Sequence, residues 1–517
     1  MNEHSQAAPA EPANRGFITI AVMLATIMQA LDTTIANVAL PHMQGAMGAT
    51  QDQISWVLTS YIVAAAICMP LTGFLSAQFG QKRIFLWAVV GFTVSSMLCG
   101  AAQSLEQIVL FRLLQGVFGA SLVPLSQSVL LDTYPTEQHG SAMAMWGVGV
   151  MVGPILGPSL GGWLTEYYNW RWVFYINLPF GLLAWFGIAA YVKETAIDTS
   201  RKFDLFGFAL LSLAIGSLQM MLDRGESLGW FDSPEVVIEA ILAGGCFYLF
   251  IAHMFTHKAP FIEPGLFSDS NFRIGLLFIF IIGIILLATM ALLPPFMQSL
   301  LGYPVLDVGY LLAPRGVGTM MAMITVGKLA GKVDPRYKIF LGLMLTSFSL
   351  WETTLFDLNI SGWDIVRTGV IQGLGLGFIF VPLSTITFAT LAPKYRGEGT
   401  ALFSLMRNIG SSIGISVVIT YLSQQTQANH AAFADYITPF NFALNQAIDA
   451  GVYNLSTPQG LVAMNAEVTK QAALLAYLQD FRLMMWVTLA AVPLVFLLRT
   501  PKKRPQTANT KTETVME

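Results

Sequence analysis

Apolar residues recur along this chain in runs of about twenty, separated by short polar or turn-forming stretches, and that feature leaves few folds open. A helix needs about 20 mostly apolar residues to cross a bilayer, and it must satisfy its own backbone hydrogen bonds because lipid offers none. Fourteen such runs are present, at approximately 17–37, 54–76, 84–104, 107–131, 141–165, 171–192, 205–222, 235–255, 272–298, 306–327, 339–357, 364–391, 400–423 and 481–498. Composition agrees, because only 11% of the 517 residues are charged, against about 25% in an average soluble domain. Forty-five glycines and 24 prolines sit inside the apolar runs instead of collecting in linkers. The chain reads as an all-α polytopic membrane protein. A net charge of −3 provides no basic surface for nucleic acid. Cys68, Cys99 and Cys246 all lie in apolar stretches, so neither a disulfide framework nor a CxxC metal site is expected.

Lysine and arginine set the orientation, since cytoplasmic loops carry the excess of positive charge. With fourteen spans both tails fall on one side, and those tails and the even-numbered loops hold 18 of the 27 basic residues: Arg15, Lys82, Arg83, Lys193, Arg201, Lys202, Lys258, Lys328, Lys332, Arg336, Lys338, Lys394, Arg396, Arg499, Lys502, Lys503, Arg504 and Lys511. The opposite side holds three, Arg171, Arg224 and Lys470. Both termini are therefore expected in the cytoplasm. The first run lacks a small-residue cleavage site and reads as a retained helix.

The two ends of the chain repeat each other at an offset of about 257 residues. Lys82-Arg-Ile-Phe-Leu86 recurs as Tyr337-Lys-Ile-Phe-Leu341, Gln115-Gly116 as Gln372-Gly373, Pro124-Leu-Ser126 as Pro382-Leu-Ser384, and Gly140-Ser-Ala142 as Gly399-Thr-Ala401. Matches in the same order at nearly one offset imply a duplicated six-helix unit with two extra spans between. The expected divisions are a tail at 1–16, a six-helix bundle at 17–192, two inserted helices with their linkers at 193–271, a second bundle at 272–498 that includes an external loop at 424–479, and a tail at 499–517. Duplicated halves of this kind bind substrate at their interface near mid-membrane and work by alternating access.

Charges inside spans are costly and mark function or pairing. Asp32 lies about five residues from the outer end of its run, roughly 8 Å deep, and Arg112 lies about as deep in the fourth run, which starts from the same side. The two are expected to meet, with Asp32 as proton carrier. Gly149, Gly153, Gly157 and Gly161 recur every four residues on one face, with Pro154, Pro158 and Gly162 beside them. Such a helix can approach a neighbour closely and bend; tight static packing is the plainer alternative. Arg315, Glu352 and Arg407 are further charges inside the second half. Glu352 is a possible second acidic site, and for Arg315 an anionic substrate and a structural ion pair are equal alternatives, whereas Arg367 lies near enough to the interface to snorkel. His253 and His257 stand at i and i+4, but no carboxylate or cysteine is near them in sequence and no metal site is expected. Between the last two runs, Gln424 to Gln479 is rich in Ala, Gln and Asn, and Ala463 to Leu478 has helical propensity.

These residues resemble the major facilitator superfamily, in particular its fourteen-span drug:proton antiporters and most closely the Emr-type (EmrB-like) multidrug exporters. Leu31-Asp-Thr-Thr-Ile-Ala-Asn-Val-Ala-Leu-Pro41 is similar to the family's first-helix motif, Arg112-Leu-Leu-Gln-Gly116 to the motif whose arginine is implicated in proton coupling, and the Gly149–Gly162 run to the antiporter motif; Met221-Leu-Asp-Arg-Gly225 with Trp230-Phe231 looks like the Emr subgroup. The loop motif keeps Gly73, Gly80, Lys82 and Arg83, but Ala77 and Gln78 replace its usual acidic and basic residues, which removes the conventional gating ion pair.

The resemblance implies a major facilitator fold of 14 helices arranged 6+2+6 in a bacterial inner membrane. It also implies export of hydrophobic and amphipathic drugs in exchange for protons, powered by the proton motive force without a cofactor, and partnership with a periplasmic adaptor (EmrA-like) and an outer-membrane channel. Spans that line the family's cavity carry Met28, Trp56, Tyr61, Gln115, Gln127, Met290, Phe296 and Gln298, although packing is the commoner role for such residues. No GxxxxGK[ST] or HExxH occurs, and GxSxG occurs only inside apolar runs, at Gly157–Gly161 and Gly410–Gly414, not at a strand-to-helix turn, so neither an ATP-driven pump nor an enzyme is expected, and the short tails disfavour a sensor or receptor. A dedicated exporter of one metabolite or fatty acid is the nearest alternative.

Overall fold

The computed structural model describes residues 12–198, 202–438, 440–449 and 455–499. The tail residues 1–11, Arg201, residues 439 and 450–454 of the expected external loop, and residues 500–517 with Lys502, Lys503, Arg504 and Lys511, lie outside the described residues. Among the described residues there is no strand. The α-helices are α1 (Pro12–Met47), α2 (Gln51–Cys68), α3 (Leu71–Phe79), α4 (Gln81–Ala101), α5 (Leu105–Gly119), α6 (Leu122–Thr133), α7 (His139–Tyr167), α8 (Trp172–Tyr175), α9 (Asn177–Tyr191), α10 (Leu205–Arg224), α11 (Pro234–Thr256), α12 (Ser270–Pro295), α13 (Val305–Lys328), α14 (Pro335–Thr353), α15 (Gly362–Ala389), α16 (Arg396–Ala434), α17 (Phe442–Asp449) and α18 (Pro458–Ala490).

Polar caps decide where several of these helices begin. Thr50 and Gln53 close a reciprocal capping box ahead of α2. Ser104 caps α5, Asp204 caps α10, Asp269 caps α12 and Thr457 caps α18, each accepting a backbone N–H of the first turn. Such a cap satisfies a donor that a helix start leaves free. Large apolar side chains, among them Trp87, Phe186, Phe247, Tyr248 and Phe255, stand exposed on the outside, as suits a surface solvated by lipid.

Among the described residues, eleven helical segments are long and apolar enough to cross a membrane, or twelve if the pair α2 and α3, bent by 55° after Cys68, is one span. α13 and α14 occupy the expected runs at 306–327 and 339–357 but fall outside that apolar set, because α13 carries Asp307 and Arg315 and α14 carries Arg336, Lys338 and Glu352 among several hydroxyls. The last two runs are much longer helices than their apolar stretches. α16 has 39 residues and α18 has 33, so most of the expected 424–479 loop is helix. Asn429 Nδ2 donates to the Ala472 carbonyl at 3.3 Å and His430 meets Asn465 at 3.1 Å, tying the two extensions together.

Helices α1 to α9 pack mainly on one another, as do α12 to α16 with α18, while α10 pairs with α11 and lies against α2 and α16. The two groups meet along α7 and α13, and again where α3 and α6 touch α16. The side that holds the start of α1 and the end of α9 is called the basic side below.

Candidate functional site

The Asp32 carboxylate on α1 is buried inside the bundle and accepts three side-chain hydrogen bonds. Arg112 Nη1 on α5 lies 2.7 Å from its Oδ2, and both side chains are 1% exposed. Gln115 Nε2 and Asn177 Nδ2 each donate to the other oxygen at 2.8 Å. Arg112 also donates through Nε to the Val57 carbonyl of α2 at 3.1 Å and through Nη1 to Gln115 Oε1 at 2.9 Å. Its guanidinium lies 4.3 Å from the Tyr61 ring centroid, within cation–π range. Asn177 reaches Ser96 Oγ of α4 at 2.9 Å, and Ser96 donates to the Phe174 carbonyl at 2.8 Å. The carboxylate thus takes its partners from α5 and the start of α9, and those partners are held in turn by Val57 of α2 and Ser96 of α4. Removing one member of a buried ion pair costs about 3–5 kcal/mol because the other charge is stranded.

The internal repeat provides a control within the molecule. At an offset of 257, positions 32, 112 and 115 correspond to Thr289, Gly369 and Gln372. Gln372 Nε2 again faces the first helix of its half, 3.4 Å from Thr289 Oγ1, but the acid and the base are gone. The frame is duplicated and the charge is not. Gly369 instead faces Arg315 of α13, whose Cβ lies 3.6 Å from where a Cβ at Gly369 would stand. Arg315 is 5% exposed and donates to the Leu286 carbonyl at 3.5 Å. No carboxylate among the described residues pairs with Arg315 or with Arg407 on α16.

The glycine face of α7 is turned toward α1. A Cβ at Gly153 would lie 2.5 Å from the Ala30 carbonyl carbon and 2.6 Å from its Cβ; one at Gly149 would lie 2.8 Å from Met23 Cε, and one at Gly161 3.3 Å from Ile35. Gly157 is filled by Thr34, which donates to the Gly153 carbonyl at 3.1 Å. The other flank of α7 meets α13 from Gly140 against Ala330 and Gly327 against Ala144, through Gly316 against Ile155 and Gly309 against Pro158, to Gly162 against Leu306. α7 therefore joins the Asp32 helix to the second half.

In the α3–α4 loop Gly80 has φ +93, and Lys82 Nζ donates to the Ala189 carbonyl at 2.7 Å. Arg83 lies 3.8 Å from Glu194. Gly73 admits α16, its Cβ position being 2.6 Å from Glu398 Cγ. An ion pair does cross between the halves on the basic side. Arg396 Nη1 at the start of α16 meets Asp132 of α6 at 2.9 Å and the Leu131 carbonyl at 3.2 Å. It stands close to where Ala77 and Gln78 leave the loop motif without its charges.

Other expected cavity residues do not converge. Phe296 is fully buried and packs on Phe356, Tyr477 and Phe481, so it is core. Met28 is fully buried, with its sulfur 3.8 Å from Thr93 Oγ1. Trp56 is half-buried beneath Arg224 at 5.5 Å, Met290 is half-buried and Gln298 is exposed. Gln127 is fully buried, with no protein partner for its amide. Glu352 pairs with Arg367 at 3.1 Å, the arginine half exposed and the acid largely buried. Asn177 and Ser96 escaped the sequence reading. A buried asparagine at a helix start, in Ile176-Asn-Leu-Pro179, was the available signal. The i, i+4 histidines also have an acid beside them, as His253 Nε2 lies 2.9 Å from Asp204.

The family model described as Major Facilitator Superfamily matches residues 22–415. The chain belongs to the Major Facilitator Superfamily, a family of transporters. Within it, the chain is an EmrB-like member: it is 34% identical over 495 residues to the fatty acid resistance protein FarB of Neisseria gonorrhoeae, covering 95% of this chain and 98% of that protein. It is also 34% identical over 506 residues to the multidrug export protein EmrB of Escherichia coli K12, covering 96% and 98%. Among solved structures, the human organic anion transporter MFSD10 (TETRAN) superposes with a TM-score of 0.59 at 13% identity, over 93% of this chain and all of that one. A bacterial homologue of the lysosomal transporter Spinster, inward-facing and unoccupied, gives 0.54 at 16% identity, over 95% and 100%. These two share the all-helical fold of the chain, while the family model and the relatives carry its assignment as a multi-pass membrane transporter.

Proposed function

We propose that this protein is a proton-coupled exporter of hydrophobic and amphipathic compounds, with fourteen spans arranged 6+2+6, residues 17–192 and 272–498 as the two moving bundles and 193–271 as the inserted pair. The carrying observation is the buried Asp32 cluster. A carboxylate held by Arg112, Gln115 and Asn177 can exchange those partners for a proton, and the loss of acid and base from the equivalent place in the second half argues against a mere scaffold role. A proton moving down 100 mV releases about 2.3 kcal/mol, enough for a modest drug gradient. The likeness to EmrB supports multidrug efflux. It also supports a place in a bacterial inner membrane, with both termini cytoplasmic and the paired ends of α16 and α18 directed toward a periplasmic adaptor of a tripartite system. The test is proton release from detergent-solubilised protein on drug addition, with efflux assays in an exporter-deficient bacterium. Wild type releases protons and confers resistance, whereas Asp32→Asn and Arg112→Ala do neither; Asp32→Asn that transports at the normal rate with its pH dependence intact overturns the assignment.

Arg315 favours a second reading in which the exported compounds carry an acid. A buried guanidinium without a carboxylate is costly, an anionic amphiphile would neutralise it, and FarB is named for fatty acid resistance. Arg315→Gln would then lose resistance to fatty acids while keeping it to cationic dyes.

A further inference from the structure

The sequence separates Asp204 from His253 by 49 residues, yet the fold brings them together where α10 begins and α11 ends. His253 Nε2 lies 3.1 and 2.9 Å from the two Asp204 oxygens, and the His253 and His257 rings stand 4.7 Å apart, edge to face. One ligand-capable atom from each of the three residues lies within 4.8 Å of the others. We propose that Asp204, His253 and His257 form a binding site for a divalent transition ion such as Zn²⁺, Co²⁺ or Ni²⁺ on the basic side of the inserted helix pair.

Two imidazoles and one carboxylate are the donor set that borderline ions prefer. Ligand atoms about 2.0–2.2 Å from a tetrahedral ion stand a little over 3 Å from each other. The Asp204–His253 spacing already meets that requirement. Only His257, on the exposed last turn, has to swing inward. The Asp204 carboxylate is oriented by N–H donors from Gly207 at 2.9 Å and Phe261 at 3.0 Å, the outer hydrogen bonds that metal-binding carboxylates characteristically receive. Binding replaces the Nε2 proton of His253 by the ion, and that proton leaves to solvent. A cavity of about 350 Å³ reaches Asp204 and is lined by Lys202, Lys258 and Glu263 among others, which gives an ion a route in. The two lysines repel a hard cation held by charge alone, so the site selects for ions that bond to nitrogen. The fourth position is open to water.

The experiment is Co²⁺ titration of the purified full-length protein in detergent, with any affinity tag removed, following the visible d–d absorption. Wild type shows one saturable equivalent. Because even outer-shell changes cost about 10–100-fold in metal affinity, His257→Ala and Asp204→Asn are each expected to weaken binding by at least about tenfold. Asp204→Asn retains an oxygen for the helix cap, and His257→Ala leaves the cap untouched. His430→Ala, on the opposite side, binds as wild type does. Absence of a saturable band in wild type, or a band unchanged in both site variants, overturns the proposal.

Discussion

Replacing Gly153 by alanine adds one carbon where α1 and α7 touch. That carbon would stand 2.5–2.6 Å from three atoms of Ala30, against 3.4 Å for an ordinary contact, so the helices must part by about 0.8 Å. Ala30 is two residues from Asp32. Two residues are about 200° of helical turn, so Asp32 faces away from α7, and an α1 that takes up the whole movement drives its carboxylate into the already close 2.7 Å contact with Arg112, which must rearrange. Overpacking of this kind costs about 1–3 kcal/mol, while exchanging glycine for alanine in a helix returns about 1 kcal/mol. Gly244, with nothing within 4 Å of its Cβ position, isolates the second term. Gly153→Ala should therefore be less stable than Gly244→Ala by about 1–3 kcal/mol in denaturant unfolding in detergent. It should also lose drug-induced proton release, which Gly244→Ala keeps. Equal stability and equal proton release in the two variants would refute the link from glycine packing to the carboxylate.

Asn177→Ala removes a hydrogen bond to a charged group, worth about 1.5–3 kcal/mol; reconstituted in liposomes, it should exchange drug for protons about 10–100-fold more slowly, and an unchanged rate would exclude Asn177 from the coupling cluster. Arg396→Gln and Asp132→Asn should each expose the basic-side ends of α3 and α16 to proteolysis or to a thiol reagent at an introduced cysteine, with the double variant no more exposed than either single; additive exposure would show that the pair does not close that side. Arg367→Ala breaks a half-exposed ion pair worth about 0–1 kcal/mol and should leave efflux unchanged, so that a tenfold fall would return Glu352 to the transport pathway.

The all-helical, membrane-crossing character was legible because a long apolar run bounded by charges is a strong local pattern, and Asp32 and Arg112 stood out as charges inside such runs. Their neutral partners did not. Asn177 and Ser96 look like ordinary small polar residues until the fold points them at one carboxylate. Gln115 and Phe296 are placed on cavity-lining spans by the resemblance alone, and a span's position does not distinguish a side chain that lines a space from one that fills it. The extensions of α16 and α18 were hidden by their polarity, since hydropathy marks the membrane part of a helix and not the helix. Asp204 was missed beside the histidines because proximity across 49 residues is a property of tertiary packing alone.

The Asp32 cluster also constrains how the protein is made. Arg112 is 80 residues and Asn177 145 residues beyond the acid. At roughly 5–20 residues per second, the ribosome delivers the arginine about 4–16 s, and the asparagine about 7–29 s, after Asp32 has been synthesised. During that interval α1 is a nascent helix with an unpartnered acid, a residue that costs about 2.5–3.5 kcal/mol at the centre of an inserting segment. Its leucines, isoleucines and methionines must hold it in place alone, or it must wait beside the translocon until the fourth span arrives. The buried cluster thereby ties the order in which the helices are made to the order in which they can be released into lipid.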